Sequence, residues 1–314
     1  MKNTLFGKDL ITVESLSRED IRLVFDKTKE MEELVKEKGG DERLKGKIMA
    51  ALFFEPSTRT FSSFITAMQR LGGGIIPLNG MQNTSVEKGE SFEHAIQVFS
   101  RYADCLVVRH PEVGKPKVAS KYSTVPVVNA GDGINEHPTQ GIFDTYTINQ
   151  HFQSLESLVV TMVGDLKNGR TVHSLSQVLA KMGRNIYFNF VSPALLKMPL
   201  DIKNKIKALG VQYQETEDLK SMIFESDVIY MTRVQKERFA DQAEYEKLKS
   251  YYILSKSMVG NAKKEMVIMH PLPIAAGEIN NDLDNNPHSL YLNTELSNGL
   301  YLRMALLDLI LKSQ

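Results

Sequence analysis

Several features are scarce in this sequence, and each scarcity excludes a class of protein or site. Its 314 residues include one cysteine, Cys105, so no disulfide can form within the chain. The 38 basic and 38 acidic residues cancel, which excludes a general electrostatic attraction to nucleic acid or to an acidic membrane surface. No run of about 18 apolar residues occurs, so no membrane-spanning helix is predicted. The seven histidines are scattered without the spacing of metal ligands, so neither a metal nor another cofactor is expected.

The same scarcities indicate a compartment. Cys105 lies in an apolar stretch, which favours a small buried hydrophobe over a nucleophile. Residues 1–5 are not followed by a long apolar core, so no signal peptide is predicted. A reducing, cytoplasmic location fits these features best.

Short apolar runs alternate with segments of helical periodicity throughout the chain. Strands are predicted at 47–54, 75–78, 105–108, 125–128, 158–163, 186–191, 211–214, 227–231 and 267–269. Helices are predicted at 17–38, 61–71, 92–103, 137–150, 172–182, 203–209 and 300–311. A polar loop is predicted at 82–89 and a turn at 129–133. The alternation predicts an α/β fold with two similar-sized domains, each a mostly parallel sheet flanked by helices, with the C-terminal helix packing back on the first domain.

A polar segment at 150–156 marks the predicted domain boundary. The first domain would comprise residues 1–150, completed by the C-terminal helix 298–314, and the second would comprise residues 151–297. In sheets of this kind the ligand lies beyond the carboxyl ends of the strands. The polar groups expected there are mostly cations or hydrogen-bond donors, so the sequence predicts a positive cleft for a polyanion.

The stretch 53–61 carries the most specific chemical signal. An apolar run ends at Phe54, and Pro56 keeps Glu55 extended and outside the helix that follows. The next four residues therefore lie at a strand-to-helix junction, where unsatisfied backbone N–H groups and the helix dipole favour an anion. They are Ser57, Thr58, Arg59 and Thr60. Three hydroxyls and a guanidinium suit a phosphate; the alternative is an ordinary capping turn with a surface arginine.

Motifs in both halves of the chain resemble the transcarbamoylase family. The first half carries Phe54-x-x-Ser57-Thr58-Arg59-Thr60, Arg109-His110-Pro111 and His137-Pro138-Thr139-Gln140. The second half is similar to the aspartate-specific catalytic chains of that family at residues 163–174, 231–238 and 270–273. The resemblance covers essentially the whole chain, with the motifs in order.

The resemblance implies transfer of a carbamoyl group from carbamoyl phosphate to L-aspartate, a reaction of pyrimidine biosynthesis. It assigns the phosphate to Ser57, Thr58, Arg59, Thr60 and Arg109. Arg59, Thr60 and His137 would polarise the carbonyl oxygen, where the attacking amine builds up negative charge. Gln140 and the Leu272 carbonyl would hold the carbamoyl NH2 group. Family members also have a cis peptide bond at the position of Leu272–Pro273, so one is predicted here.

For aspartate, the resemblance assigns Arg170, Arg233 and Gln235, because guanidinium groups match carboxylates. Ser85 and Lys88 match a mobile loop that, in the family, reaches into the neighbouring subunit's active site. The resemblance then implies a homotrimer with shared sites, in which Ser85 contacts carbamoyl phosphate and Lys88 takes part in catalysis and aspartate binding. The alternative for this loop is a flexible polar surface turn.

Other features of the resemblance leave questions open. The opening residues 5–25 resemble the class whose trimers associate with separate zinc-bearing regulatory chains, and the presence of such chains is left open. Glu55, Glu237 and Arg238 are interpreted as ion-pair partners that hold the domains closed. The loop 274–277 is one residue longer than usual and lacks an arginine after Pro273, which bears on aspartate affinity. His173 and His270 are interpreted as structural.

Three other functions are alternatives. The segment from Gly164 to Thr171 nearly matches a nucleotide-binding phosphate loop, but Arg170 stands where that motif has lysine. A transcarbamoylase acting on ornithine would require acidic groups and typically cysteine at position 272. A non-catalytic scaffold would be expected to lose Arg59, His137 or Arg233, and all three are present.

Overall fold

Two parallel sheets flanked by helices make up the structure. The computed structural model describes residues 2–82, 84–234, 241–248, 251–275 and 277–313. The chain divides into two compact units: unit 1, with residues 1–143 and 297–314, and unit 2, with residues 144–296. The predicted α/β class, with two parts of similar size, is confirmed.

The sheet of unit 1 contains β1 (Ile48–Phe53), β2 (Gly74–Asn79), β3 (Cys105–His110) and β4 (Val127–Asp132). These strands are parallel and lie in the order β2-β1-β3-β4. The central strands β1 and β3 are almost wholly buried, which explains why they appear in the sequence as unbroken apolar runs. Cys105 is buried at the start of β3, and burial raises the pKa of its thiol to about 12, as expected for a structural residue.

Helices connect and cover these strands. In chain order they are α1 (Arg18–Lys38), α2 (Thr58–Arg70), α3 (Phe92–Tyr102), α4 (Lys115–Tyr122) and α5 (Pro138–Phe152). The predicted capping pair of α1 is confirmed: the Ser17 hydroxyl accepts the Asp20 N–H at 3.0 Å, and the Asp20 carboxylate accepts the Ser17 N–H at 2.9 Å. Helix α4 was not predicted. Its only buried residues are Pro116 and Ala119, so it has no apolar periodicity to detect.

The sheet of unit 2 contains β5 (Val159–Val163), β6 (Tyr187–Val191), β7 (Gln212–Thr216), β8 (Val228–Met231) and β9 (Val267–Met269). The strands are parallel and lie in the order β7-β6-β5-β8-β9. The helices of this part are α6 (Arg170–Met182), α7 (Leu200–Ala208), α8 (Leu219–Ile223) and α9 (Gln242–Leu248). Val163, Ile229 and Ile268 contribute to one continuous apolar core beside the sheet.

The last helix, α10 (Thr294–Leu311), begins earlier than the sequence predicted. Most of its length belongs to unit 1, where Asp308 lies 3.4 Å from the ammonium group of Lys27 in α1. The guanidinium group of Arg303 lies over the Phe64 ring of α2, 5.2 Å from its centroid. The predicted packing of the C-terminal helix on the first domain is confirmed.

The turn predicted at 129–133 is wrong. Strand β4 continues to Asp132, where it is still paired with His110 of β3. The N-terminal segment pairs with its first residues: the Leu10 N–H donates to the Val127 carbonyl, and the Asn129 N–H donates to the Leu10 carbonyl. The Asn129 side chain is buried and donates to Asp132 and to the Ile11 carbonyl. The polar residues of this segment therefore form buried hydrogen bonds and do not mark a surface turn.

Among the described helices, none combines the length and the apolar character that crossing a bilayer requires.

Candidate active site

The strand order places a ligand-binding position in each unit. In unit 1 the chain passes from β1 to β2 on one side and later returns to β3 on the other, so the order reverses between β1 and β3. In unit 2 it reverses between β5 and β8. Ligands of parallel α/β sheets bind at the carboxyl ends of the strands at such points. The predicted residues at 57–60 follow β1, Arg109 is the second-to-last residue of β3, and Arg170 and Arg233 follow β5 and β8.

The junction between β1 and α2 has the geometry expected of an anion site. Helix α2 begins at Thr58, and the extended residue Ser57 is its N-cap, but the Ser57 side chain does not cap the first turn. Instead the Ser57 N–H donates to Asn79 Oδ1 at 2.9 Å, which ties this turn to the end of β2. Thr58 and Arg59 are exposed. The amino end of α2 thus presents backbone donors and a guanidinium group in one place.

Thr60 and His137 are brought together from distant parts of the sequence. Both are buried, and the Thr60 hydroxyl lies 3.5 Å from His137 Nε2. The other ring nitrogen, Nδ1, lies 3.5 Å from the Thr139 hydroxyl. Gln140 follows on the first turn of α5 and is also buried. Two of the predicted carbonyl-polarising groups therefore lie side by side in unit 1.

Arg109 forms an ion pair at the same edge of the sheet. Its guanidinium group lies 2.9 Å from a carboxylate oxygen of Glu55, and both side chains are largely buried. The neighbouring strands β1 and β3 pair Phe53 with Arg109, and the Phe54 N–H donates to the Arg109 carbonyl at 2.8 Å. Glu55, interpreted from the sequence as an ion-pair partner, is thus paired with Arg109 within unit 1.

His110 packs behind this pair rather than joining it. Its ring lies between those of Phe54 and Phe92, with both centroid distances at 5.2 Å, and its Nδ1 accepts the Glu112 N–H. Burial lowers the pKa of His110, so the ring is neutral near pH 7. It supports the strand end as an apolar residue would.

Ser85 and Lys88 form hydrogen bonds within their own loop. Both are exposed, and the Ser85 hydroxyl donates to Glu90 within the same loop. The Ser85 carbonyl accepts the N–H groups of Lys88 and Glu90 at 3.0 Å. Within the part of the chain that the structure describes, no hydrogen bond joins these two residues to Thr60 or His137, the predicted carbonyl-polarising groups.

In unit 2, two loops that carry predicted aspartate ligands lie against each other. Gly164 has a φ of +112°, and a Cβ atom on it would lie 2.4 Å from the Thr232 carbonyl oxygen. The Thr232 N–H in turn donates to the Val163 carbonyl at 2.8 Å. Glycine is required at 164 because the backbone of the β8 loop, which carries Arg233, comes this close.

The β5 loop is closed by buried polar contacts that lead to Arg170. The Asp165 carboxylate accepts the backbone N–H of Asn168 at 2.9 Å. His173 Nε2 lies 2.8 Å from the Leu166 carbonyl and donates to it, which confirms its structural interpretation. Arg170 then begins α6 and is half-buried. Gln235, Glu237 and Arg238 lie outside the described residues.

The turn at 270–273 has an unusual backbone. The peptide bond between Leu272 and Pro273 is cis, as predicted, and Leu272 has a φ of +55°. The Leu272 N–H donates to His270 Nδ1 at 2.7 Å, so the proton of the neutral ring is on Nε2, which donates to Glu278 at 3.1 Å. His270 therefore shapes this turn, as the sequence indicated. Ile274, in the altered loop, packs against the core of unit 2.

Two supporting residues were not predicted from the sequence: Asn79, which holds the turn before α2, and Glu278, which orients His270. Asn79 lies at the carboxyl end of a predicted strand, and that position was a usable signal. Glu278 has no comparable local signal. Among the described residues, no three His, Cys, Asp or Glu side chains are grouped so that they could hold a metal ion.

Comparisons with known proteins agree with this arrangement. Residues 8–150 match the family model described as aspartate/ornithine carbamoyltransferase, carbamoyl-P binding domain, and residues 156–310 match the Asp/Orn binding domain. The aspartate carbamoyltransferase catalytic subunit of Thermococcus onnurineus is 45% identical over 305 residues, which cover 97% of each chain.

Solved structures give the same result. Aspartate transcarbamoylase from Trypanosoma cruzi, in complex with carbamoyl phosphate and aspartate, is similar with a TM-score of 0.93 at 35% identity, over 99% of this chain and 98% of that one. The catalytic subunit of M. jannaschii aspartate transcarbamoylase is 44% identical with a TM-score of 0.87, over 96% and 97% of the two chains. As its motifs predicted, this chain belongs to the aspartate/ornithine carbamoyltransferase family.

Proposed function

We propose that this protein transfers the carbamoyl group of carbamoyl phosphate to L-aspartate, forming N-carbamoyl-L-aspartate and phosphate in pyrimidine biosynthesis. The observation that carries the proposal is the placement of the predicted ligands. Both arginine-bearing loops of unit 2 and the anion-binding helix terminus of unit 1 lie at the points where the strand order reverses.

Carbamoyl phosphate is assigned to unit 1. The amino end of α2 offers the phosphate the N–H groups and hydroxyls of residues 57–60, and Arg59 and Arg109 supply paired N–H donors. We assign this role to a domain of residues 1–150 with 298–314. Ser85 completes the phosphate contacts from its loop, and Gln140 and the Leu272 carbonyl hold the carbamoyl NH2 group.

The chemistry needs stabilisation of one oxygen. The aspartate amine attacks the carbonyl carbon, a C–N bond forms, and the C–O bond to phosphate breaks, while the amine loses a proton. Negative charge develops on the carbonyl oxygen during the attack, so donors that are already in place lower the barrier. Arg59, Thr60 and His137 are assigned to this oxygen, and the 3.5 Å approach of Thr60 to His137 supports their joint action.

Aspartate is assigned to the domain of residues 151–297. Arg170 and Arg233 match its two carboxylates, with Gln235 and Lys88 as further contacts. The rival substrate, ornithine, is a cation and would be repelled by two guanidinium groups. The similarity of this chain to aspartate carbamoyltransferases also favours aspartate as the substrate.

We further propose that the chain forms a homotrimer in which Ser85 and Lys88 complete the neighbouring subunit's site, and that separate regulatory chains are additional partners. The exposure of Ser85 and Lys88 supports the first part. The relatives' description as catalytic subunits supports the second. The buried free thiol of Cys105 fits a cytoplasmic enzyme.

The test is an assay of the purified protein with carbamoyl phosphate and either L-aspartate or L-ornithine. We expect product with aspartate alone, and a fall of about 100- to 1,000-fold in the rate for Arg59→Ala. Arg22→Ala, at an exposed arginine of α1, is the matched control and should retain the wild-type rate. Turnover with ornithine, or an unaffected Arg59→Ala enzyme, would contradict the proposal.

A further inference from the structure

Three buried polar side chains of unit 2 belong to none of the assigned ligands. They are Asp144 in α5, Tyr230 in β8 and Glu295 in the first turn of α10, with exposed fractions of 0%, 0% and 2%. Polar groups this deeply buried are costly unless they are hydrogen-bonded, so their partners indicate what they are for.

The three side chains form one hydrogen-bonded cluster. The Tyr230 hydroxyl donates to Asp144 Oδ2 at 2.7 Å, and the side chains of Asp144 and Glu295 are hydrogen-bonded to each other. Glu295 Oε2 also accepts the backbone N–H of His270 at 3.1 Å. We call Asp144, Tyr230 and Glu295 the acid cluster.

Two adjacent buried carboxyl groups cannot both be ionised without a large electrostatic cost. Burial, and then the charge of Asp144, raise the pKa of Glu295 well above its usual value. Burial likewise raises the pKa of Tyr230, so its hydroxyl remains a donor. A hydrogen bond between two carboxyl groups requires a proton, and the raised pKa of Glu295 assigns that proton to Glu295. Glu295 therefore donates to Asp144, which also accepts from Tyr230.

The first end of the cluster supports the turn that carries Leu272. Two of the four residues at 270–273 are prolines, so the turn has only two backbone N–H groups. The His270 N–H donates to Glu295, and the Leu272 N–H donates to His270 Nδ1. The position of the Leu272 carbonyl therefore depends on these two hydrogen bonds, the first of which is accepted by Glu295.

The other end of the cluster reaches the start of α6. The Tyr230 hydroxyl is hydrogen-bonded to the Thr171 side chain, which donates to it. Thr171 directly follows Arg170, the half-buried arginine assigned to aspartate. One buried cluster thus contacts the segments that carry an assigned carbamoyl contact and an assigned aspartate contact.

We propose that Asp144, Tyr230 and Glu295 are positioning residues, which hold the Leu272 turn through Glu295 and the Arg170 segment through Tyr230. The inference rests on the proposed function, because it assigns the two segments to the two substrates. It predicts that the ends of the cluster can be separated kinetically. A cluster that served only stability would affect both substrates alike.

The first variant is Tyr230→Phe, which removes the bonds to Thr171 and Asp144 without removing the ring. We expect the KM for aspartate to rise about five- to tenfold, as the loss of the buried hydrogen bond to Thr171 permits, with the KM for carbamoyl phosphate unchanged. Tyr291→Phe is the matched control. Tyr291 is equally buried in unit 2 and donates to Asp284 at 2.8 Å, and its loss should leave both KM values unchanged.

The second pair of variants tests the proton on Glu295. In Glu295→Gln, the amide can accept from His270 and donate to Asp144 as the protonated acid does, so we expect kinetics within about twofold of wild type. Glu295→Leu leaves His270 and Asp144 without that partner, and kcat should fall at least tenfold. If this variant does not fold, an infrared band of a buried protonated carboxylic acid, present in wild type and lost in Glu295→Gln, tests the same point.

Activity of the wild-type enzyme tests the proposed function separately, since every variant is compared with it. Equal KM changes in Tyr230→Phe and Tyr291→Phe would overturn the inference, because the cluster would then act only on stability. A Glu295→Gln enzyme as impaired as Glu295→Leu, or the absence of the infrared band from wild type, would also overturn it.

Discussion

Arg109, the proposed phosphate ligand, forms an ion pair within unit 1. The carboxylate of Glu55 supplies a counter-charge to the largely buried guanidinium group of Arg109. A guanidinium group has five N–H donors in a planar arrangement, so one edge can bind a carboxylate while another binds phosphate. The geometry of the group, as well as its charge, is therefore part of its role.

The substitution Arg109→Lys tests this point. Lysine keeps the charge but cannot contact two oxygens in parallel, so we expect the KM for carbamoyl phosphate to rise about tenfold with little change in the KM for aspartate. Steady-state kinetics with each substrate varied in turn would measure both values.

Arg43→Lys provides the comparison. Arg43 forms ion pairs with Asp41, Glu30 and Asp308 before the start of β1, whereas Arg109 lies beside the end of β1. We expect this variant to lose some thermal stability and to keep both KM values. A higher KM for carbamoyl phosphate in both variants would show that the effect is not specific to Arg109.

At the scale of structural elements, the loops after β5 and β8 are positioned by each other. Gly164 allows the Thr232 backbone to approach, and the two loops lead to Arg170 and Arg233 respectively. Because the two strands are neighbours in the sheet, a change in either loop should move both arginines.

We expect Gly164→Ala to destabilise the protein by about 1–3 kcal/mol and to raise the KM for aspartate. The added Cβ meets the Thr232 carbonyl, and alanine rarely adopts a positive φ. Denaturant unfolding and aspartate kinetics would measure the two effects.

Gly210→Ala separates the backbone effect from the steric one. Gly210 also has a positive φ, +82°, but a Cβ atom there would have no neighbour within 4 Å. Gly210→Ala should lower the free energy of unfolding by about 1 kcal/mol and leave the KM for aspartate unchanged. Equal costs for the two variants would show that the contact with Thr232 has no effect of its own.

At the scale of the whole molecule, the main proposal is the shared active site. Lys88 is exposed, and its loop forms hydrogen bonds within itself. Such a loop is available to another copy of the chain. In a closed cyclic trimer each subunit would then give its loop to one neighbour and receive a loop from the other.

Mixing two inactive variants tests this arrangement. If Arg59→Ala and Lys88→Ala chains are dissociated, mixed equally and reassembled, three quarters of the trimers are hybrids and each hybrid has one intact site of three. About one quarter of wild-type activity should return. Light scattering should give the mass of three chains. A mixture that stays inactive despite forming trimers would contradict the shared site.

Much of the architecture could be predicted from sequence because its signals are local. Strands such as β1, β5 and β9 are short apolar runs bounded by polar residues, since parallel strands are buried on both faces. The candidate ligands at 57–60 were also detectable, because a turn, a helix start and an arginine occur together in a few residues. Helix α4 lacked any such pattern.

The remaining features depend on contacts between residues far apart in the chain. Strand β4 extends to Asp132 because it is paired with β3 as far as His110, and no property of residues 129–133 shows that partner. The acid cluster joins positions 144, 230 and 295, which come together only when α5, β8 and α10 pack. Local chemistry therefore specified the elements, the family motifs and the reaction class. Packing selected which buried polar groups meet, because a hydrogen bond requires a distance that sequence separation does not set.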